Sequence, residues 1–112
     1  MEELAREFES LGYSVDRSYA QHGVVVVRGF NIGAGPHAGK IVDVGVLGKD
    51  FPFTPPAGIH VRPVIATNGQ RNINNSPLGP DWQYWSRQLP NWSAERTAKH
   101  IISYINKVFL DA

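Results

Sequence analysis

A chain of 112 residues, 42% of them hydrophobic, is long enough for one domain with a hydrophobic core but not for two. The net charge of +1, with lysines and arginines scattered along the chain, argues against binding to nucleic acid or to anionic membranes. The absence of cysteine excludes disulfides, thiolate metal sites and thioester intermediates. No segment resembles a signal peptide or a membrane span, so we expect a cytoplasmic protein.

The first half of the chain predicts one helix followed by four strands. Glu2 to Leu11 has its apolar residues on one face, and Gly12 is a typical residue to end such a helix. β-Branched and aromatic residues predict strands at residues 13–19, 24–32, 40–47 and 58–64. The glycine-rich loop between the second and third strands lacks the residues of a phosphate-binding loop.

The second half predicts a long irregular segment and a final helix. Ala66 to Asn91 shows no hydrophobic period, and an irregular segment of this length in a small domain is usually functional. Ser93 is a plausible N-cap for a helix whose apolar stripe begins at Ala98, and Glu95 would favour the helix dipole. The element order predicts an α+β domain over residues 1–112, with an N-terminal helix, a four-stranded antiparallel meander, a long crossover and a C-terminal helix.

The segment Asp50-Phe51-Pro52-Phe53-Thr54-Pro55-Pro56, called the proline segment below, is the most informative part of the chain. Asn68 lies twelve residues after Pro56, Ser76 lies twenty after it, and Trp92-Ser93 follow. In this order, these residues resemble the ubiquitin-conjugating enzyme (UBC-like) superfamily. Its members carry Tyr-Pro-Phe-x-Pro-Pro, then His-Pro-Asn, the catalytic cysteine and Trp-Ser-Pro. Here Asn68 matches the tripeptide asparagine, and Ser76 stands at the cysteine position.

This resemblance implies a bacterial UBC-like protein of the group that has lost the cysteine. The implied partners are a ubiquitin-like modifier, a ThiF-type activating enzyme and a JAB-type peptidase of the same pathway, and operon analogy suggests antiphage defence. The implied activity is transfer of the modifier through an oxyester on Ser76, with Asn68 stabilising the oxyanion. A serine needs a nearby general base, for which Asp81 and His60 are candidates. No cofactor is implied.

Each of these assignments has a structural alternative. Ser76 before a proline and Asn68 before a glycine are also ordinary turn residues. Trp82 and Trp85 could form a docking surface or pack in the core, and Arg87 could contact a carboxylate of the modifier or cap a neighbouring element. The four histidines lack the spacing of metal ligands, so no metal site is expected.

Two further functions therefore stay open beside the transferase. The chain could be a UBC-like adaptor that binds the modifier or the activating enzyme without a covalent bond. It could also be an unrelated small α+β interaction domain.

Overall fold

The structure is a computed structural model that describes all 112 residues, and it has an α+β fold. Two α-helices and six strands follow one another, with short 3-10 turns at Ala20–His22 and Trp92–Ala94. The main elements are α1 (Glu2–Ser10), β1 (Ser14–Asp16), β2 (Val24–Asn31), β3 (Ile41–Leu47), β4 (Gly58–Arg62), β5 (Ile73–Ser76), β6 (Gly79–Ser86) and α2 (Ala98–Asp111). The predicted antiparallel sheet with a helix at each end of the chain is confirmed.

The six strands form one antiparallel sheet in the order β1-β2-β3-β4-β6-β5. β1 to β4 are the predicted meander. β6 then pairs with β4, where His60 lies opposite Tyr84, and β5 folds back on β6 as the outer strand. The prediction of four strands was therefore wrong, because the sheet continues into the part of the chain expected to be irregular.

The β5–β6 hairpin escaped prediction because neither strand shows the alternation of a half-buried strand. In β6, large side chains cover both faces: Trp82 and Tyr84 point to one face, and Gln83 and Trp85 point to the other. β5 contains one apolar residue, Ile73. The aromatic residues of β6 are nevertheless good strand formers, and they were the available signal.

The main core lies between the helices and one face of the sheet, called the helix face below. Its strand residues alternate along β2, β3 and β4, and its helix residues come from one stripe of α1 and one of α2. Burying one such large apolar side chain stabilises the fold by about 1.5–3 kcal/mol. On the opposite face, a small cluster contains Val24, Val26 and Trp82, with Tyr19 and Leu78 packed against it. Neither helix is long and apolar enough to cross a membrane.

The start of α2 differs from the prediction. Ser93 lies in the 3-10 turn rather than at the helix N-cap, and Glu95 after it is extended, with φ −153° and ψ 107°. This extended residue separates the turn from the helix, so α2 begins only at Ala98. Thr97 is the N-cap, and its side chain accepts a hydrogen bond from the amide of His100 at 3.2 Å.

Candidate functional site

Ser76 ends β5 at the tight turn into β6, and its hydroxyl group is held by two contacts. Its Oγ lies 2.7 Å from Nδ1 of His60 and accepts a hydrogen bond from the amide of Leu78 at 3.1 Å. The second contact is a common turn interaction of serine. Only 8% of Ser76 is exposed to solvent. The structure therefore gives this serine a local structural role and a close contact with one basic side chain.

His60 lies in the middle of β4 and is the basic group that contacts Ser76. Its ring packs on Tyr84, with 4.7 Å between the ring centroids. Burial, with a smaller contribution from the charge of His22, lowers the pKa of His60 from 6.5 to about 4. The imidazole is thus neutral at pH 7. In the tautomer that carries its proton on Nε2, its Nδ1 accepts the proton of the Ser76 hydroxyl.

A cavity of about 280 Å³ lies beside this pair, with His60 and Tyr84 in its wall. The other wall residues are Leu47, Ala57, Gly58 and Pro77. Gly58 allows the Tyr84 ring to lie close to the backbone of β4, because a Cβ at this position would be 2.7 Å from that ring. A hydroxyl beside a neutral imidazole is a pair used in nucleophilic catalysis. The cavity is lined by His60 but not by Ser76.

Asn68 has both polar atoms of its side chain engaged. Its Nδ2 donates to Oδ1 of Asn75 at 2.8 Å, and its Oδ1 accepts from Nε2 of Gln83 at 2.8 Å. Gln83 is fully buried. Its amide also bonds the backbone of Ile65 and Ala66, with its Oε1 accepting from both amides and its Nε2 donating to the carbonyl of Ala66. Gln83 therefore fixes the loop that carries Asn68, a role that the sequence did not reveal.

Asn68 and Ser76 make no hydrogen bond to each other, and their partners lie on opposite faces of the sheet. Successive residues of a strand point to opposite faces. Gln83 is opposite the core residue Val61 and points to the helix face, whereas Tyr84, which packs on His60, points away from it. The structure brings Ser76 to His60 but does not bring it to Asn68. Asp81 is exposed and makes no hydrogen bond, so His60 is the base that contacts the hydroxyl.

The predicted binding residues Trp82 and Trp85 are both buried. Trp82 packs on the opposite face, where the Cζ atom of Arg62 lies 4.5 Å from its ring. Trp85 is fully buried in the main core, against Phe109. These two tryptophans are therefore packed inside the protein and do not form an exposed docking surface. Arg87 is half-buried, and its Nη1 donates to the backbone carbonyls of Arg71 and Ser86.

The proline segment packs against Trp92. Phe51 is buried with its ring 6.1 Å from that of Trp92, and the indole Nε1 of Trp92 donates to the carbonyl of Pro52 at 3.0 Å. Two of the sequence landmarks, forty residues apart, are therefore direct neighbours in space.

Comparisons with protein-family models, with curated proteins and with solved structures returned no match to this chain. No group of three or more histidine, cysteine, aspartate or glutamate side chains could hold a metal ion.

Proposed function

We propose that this chain is a UBC-like adaptor, which binds a ubiquitin-like modifier or its ThiF-type activating enzyme without forming a covalent bond. The order of the proline segment, Asn68, Ser76 and Trp92 supports the family. The helix–sheet–helix order and the contact between the proline segment and Trp92 are compatible with it. A JAB-type peptidase would act in the same pathway.

The burial and hydrogen bonds of the Ser76 hydroxyl are the observation that supports non-covalent binding over transfer. A serine that attacks the end of another protein needs an accessible hydroxyl and hydrogen-bond donors at the position of the developing oxyanion. Here the hydroxyl is buried and already bonded to Leu78 and His60. The side-chain amide of Asn68 donates to Asn75 and bonds partners on the other face of the sheet, so it does not face this hydroxyl.

Transfer through a serine oxyester is the second candidate function, and the contact between His60 and Ser76 favours it. In that reaction, Nδ1 of His60 would take the hydroxyl proton while Oγ attacks the activated carbonyl carbon of the modifier. A new C–O bond would form, and the bond to the activating group would break, with the electron pair leaving on that group. The neutral imidazole suits the role of proton acceptor.

Intact-mass spectrometry separates the two functions. The protein is incubated with the modifier and activating enzyme of the same operon and ATP, and binding is measured in parallel by calorimetry. For the adaptor we expect saturable binding and no adduct, with the same affinity in Ser76→Ala. Formation of the activating enzyme's own complex with the modifier serves as the control for a working reaction.

A different result would identify the transferase or exclude both functions. An adduct that is cleaved by hydroxylamine and absent from Ser76→Ala would contradict the adaptor and establish the oxyester. The absence of both adduct and binding, with an active activating enzyme, would contradict both and favour an unrelated interaction domain.

A further inference from the structure

Two hydrogen-bond donors are buried in this protein without a partner. They are the indole Nε1 of Trp85 and the guanidinium Nη2 of Arg87. A second guanidinium nitrogen of Arg87, Nη1, donates to backbone carbonyls, whereas Nη2 has no acceptor. Buried polar groups almost always have partners, and a charged donor without one is especially unfavourable. Two such donors, on residues two positions apart in the chain, indicate a site that a hydrogen-bond acceptor completes.

Trp85 and Arg87 line the same cavity, of about 290 Å³. The Cζ atom of Arg87 lies 5.9 Å from the centre of the Trp85 ring, so the guanidinium group and the indole are close in space. The other walls are partly apolar, with Ile65 and Ile73 among them, and this volume is at the small end of the range for ligand sites. The cavity suits a ligand of a few heavy atoms with one polar end.

The charged side chains in the wall of this cavity are positive. Arg71 and Arg87 both line it, and no aspartate or glutamate does. The nearby carboxylate of Asp111 pairs with Lys107 at 3.1 Å. Ala112 is also in the wall, but it makes no hydrogen bond to either unpaired nitrogen atom. A ligand with a negative charge is therefore attracted to the cavity, and no acidic side chain in the wall opposes it.

We propose that this cavity binds a carboxylate group, with one oxygen accepting from Nε1 of Trp85 and the other from Nη2 of Arg87. Guanidinium groups match carboxylates in shape and charge, and a single negative charge suits one unpaired guanidinium beside a neutral indole. A free small acid and the C-terminus of a polypeptide present the same group. The site does not depend on the proposed function, although a C-terminal carboxylate would give the adaptor a means of recognising a protein end.

Entry to the site requires a wall side chain to move, because both donor atoms are buried. His37 is one of the wall residues, and its ring centroid lies 5.9 Å from that of Trp85. It lies half-buried on the glycine-rich loop between β2 and β3, and its side-chain hydrogen bond is to Lys40 at 3.2 Å. Rotation of His37 to admit a ligand would break this one hydrogen bond and its packing on Trp85.

Titration by ¹H–¹⁵N NMR tests the proposal at the atom concerned. The protein has three tryptophans, and the indole N–H of Trp82 donates to Tyr19 while that of Trp92 donates to Pro52. Only the Trp85 indole lacks an acceptor, so its signal should shift and saturate with N-acetylglycylalanine. The other two signals are internal controls. The C-terminal amide of the same dipeptide should cause no shift.

Matched variants and further ligands sharpen this test. Arg87→Gln should weaken binding of the acid by about ten-fold or more, since a charge-assisted hydrogen bond is lost. Arg96→Gln removes an exposed arginine outside the cavity and should not change the affinity. Tighter binding of the peptide acid than of propionate would identify a polypeptide C-terminus as the source, and equal binding would identify small acids.

Three results would overturn the proposal. These are no shift of the Trp85 indole signal with any acid, equal shifts with acid and amide, or a response to inorganic phosphate alone. If Arg87→Gln fails to fold, the comparison of acid and amide on the unaltered protein still decides. Binding of the peptide acid without binding to either the modifier or the activating enzyme would leave this site in place and reject only the adaptor.

Discussion

The stability of this protein should fall between pH 7 and pH 4.5 because of His60. The residue is 8% exposed, and its burial lowers its pKa from 6.5 to about 4. The unfolded chain, where the histidine has its ordinary pKa, therefore binds a proton more readily than the folded chain. The free energy of unfolding is therefore highest above pH 6.5, and it decreases as the pH falls towards 4. These two pKa values correspond to a loss of about 2 kcal/mol between pH 7 and pH 4.5.

Urea unfolding followed by tryptophan fluorescence at a series of pH values measures this loss. In His60→Gln the titrating group is removed, and the amide oxygen of glutamine can still accept from the Ser76 hydroxyl. We expect this variant to lose about 2 kcal/mol less than the unaltered protein over the same range. His22→Gln is the comparison variant: His22 is exposed, and its charge contributes less than burial to the low pKa of His60, so this variant should reduce the loss much less than His60→Gln does.

Other groups do not obscure the comparison. Burial also lowers the pKa of His37, so this residue weakens the fold in acid in the same direction, but it does so equally in the protein and in both variants. The reasoning would be refuted if His60→Gln and the unaltered protein lost the same stability. It would also be refuted if the stability of the unaltered protein were constant over this range.

Three substitutions test the contacts that hold the fold together, each measured as the change in unfolding free energy in urea. Gln83→Leu removes four hydrogen bonds of a fully buried amide and should cost about 2–4 kcal/mol. Its control, Gln88→Leu on the surface, should change the stability by no more than about 0.5 kcal/mol. Equal effects of the two substitutions would contradict the role of Gln83. Gly35→Ala should cost about 1–3 kcal/mol, because φ is +91° and the new Cβ would meet a backbone carbonyl of α2, but Gly33→Ala, with open space, should cost less than 1 kcal/mol. Thr97→Ala should cost about 1 kcal/mol through loss of the N-cap, and an unchanged stability would exclude that role.

Local sequence patterns were sufficient for the first half of the fold. The valine-rich composition of β2 and the alternation of β3 are properties of the strands themselves, so they can be read without knowing what packs on them. β6 depends on its neighbours instead. Its strand character comes from pairing with β4 and from cover on both faces, and neither is visible from its own residues.

The candidate site could be predicted only in part for a related reason. His60 and Ser76 were both named, but their contact depends on the register between β4 and β6 and on the irregularity where Ser76 pairs with Gly79. The spacing of Asn68 and Ser76 indicates that they are near along the chain. It does not indicate that their partners, Gln83 and His60, point to opposite faces of the sheet.

The outer strands of the sheet have a consequence for behaviour in concentrated solution. β1 has three residues and β5 has four, so each border of the sheet offers few free backbone N–H and C=O groups. Long, flat borders are the sites at which sheets of different molecules join into aggregates and fibres. Borders as short as these give an incoming strand little to pair with. The native chain should therefore stay dispersed as its concentration rises, and its partners should approach through side chains rather than by extending the sheet.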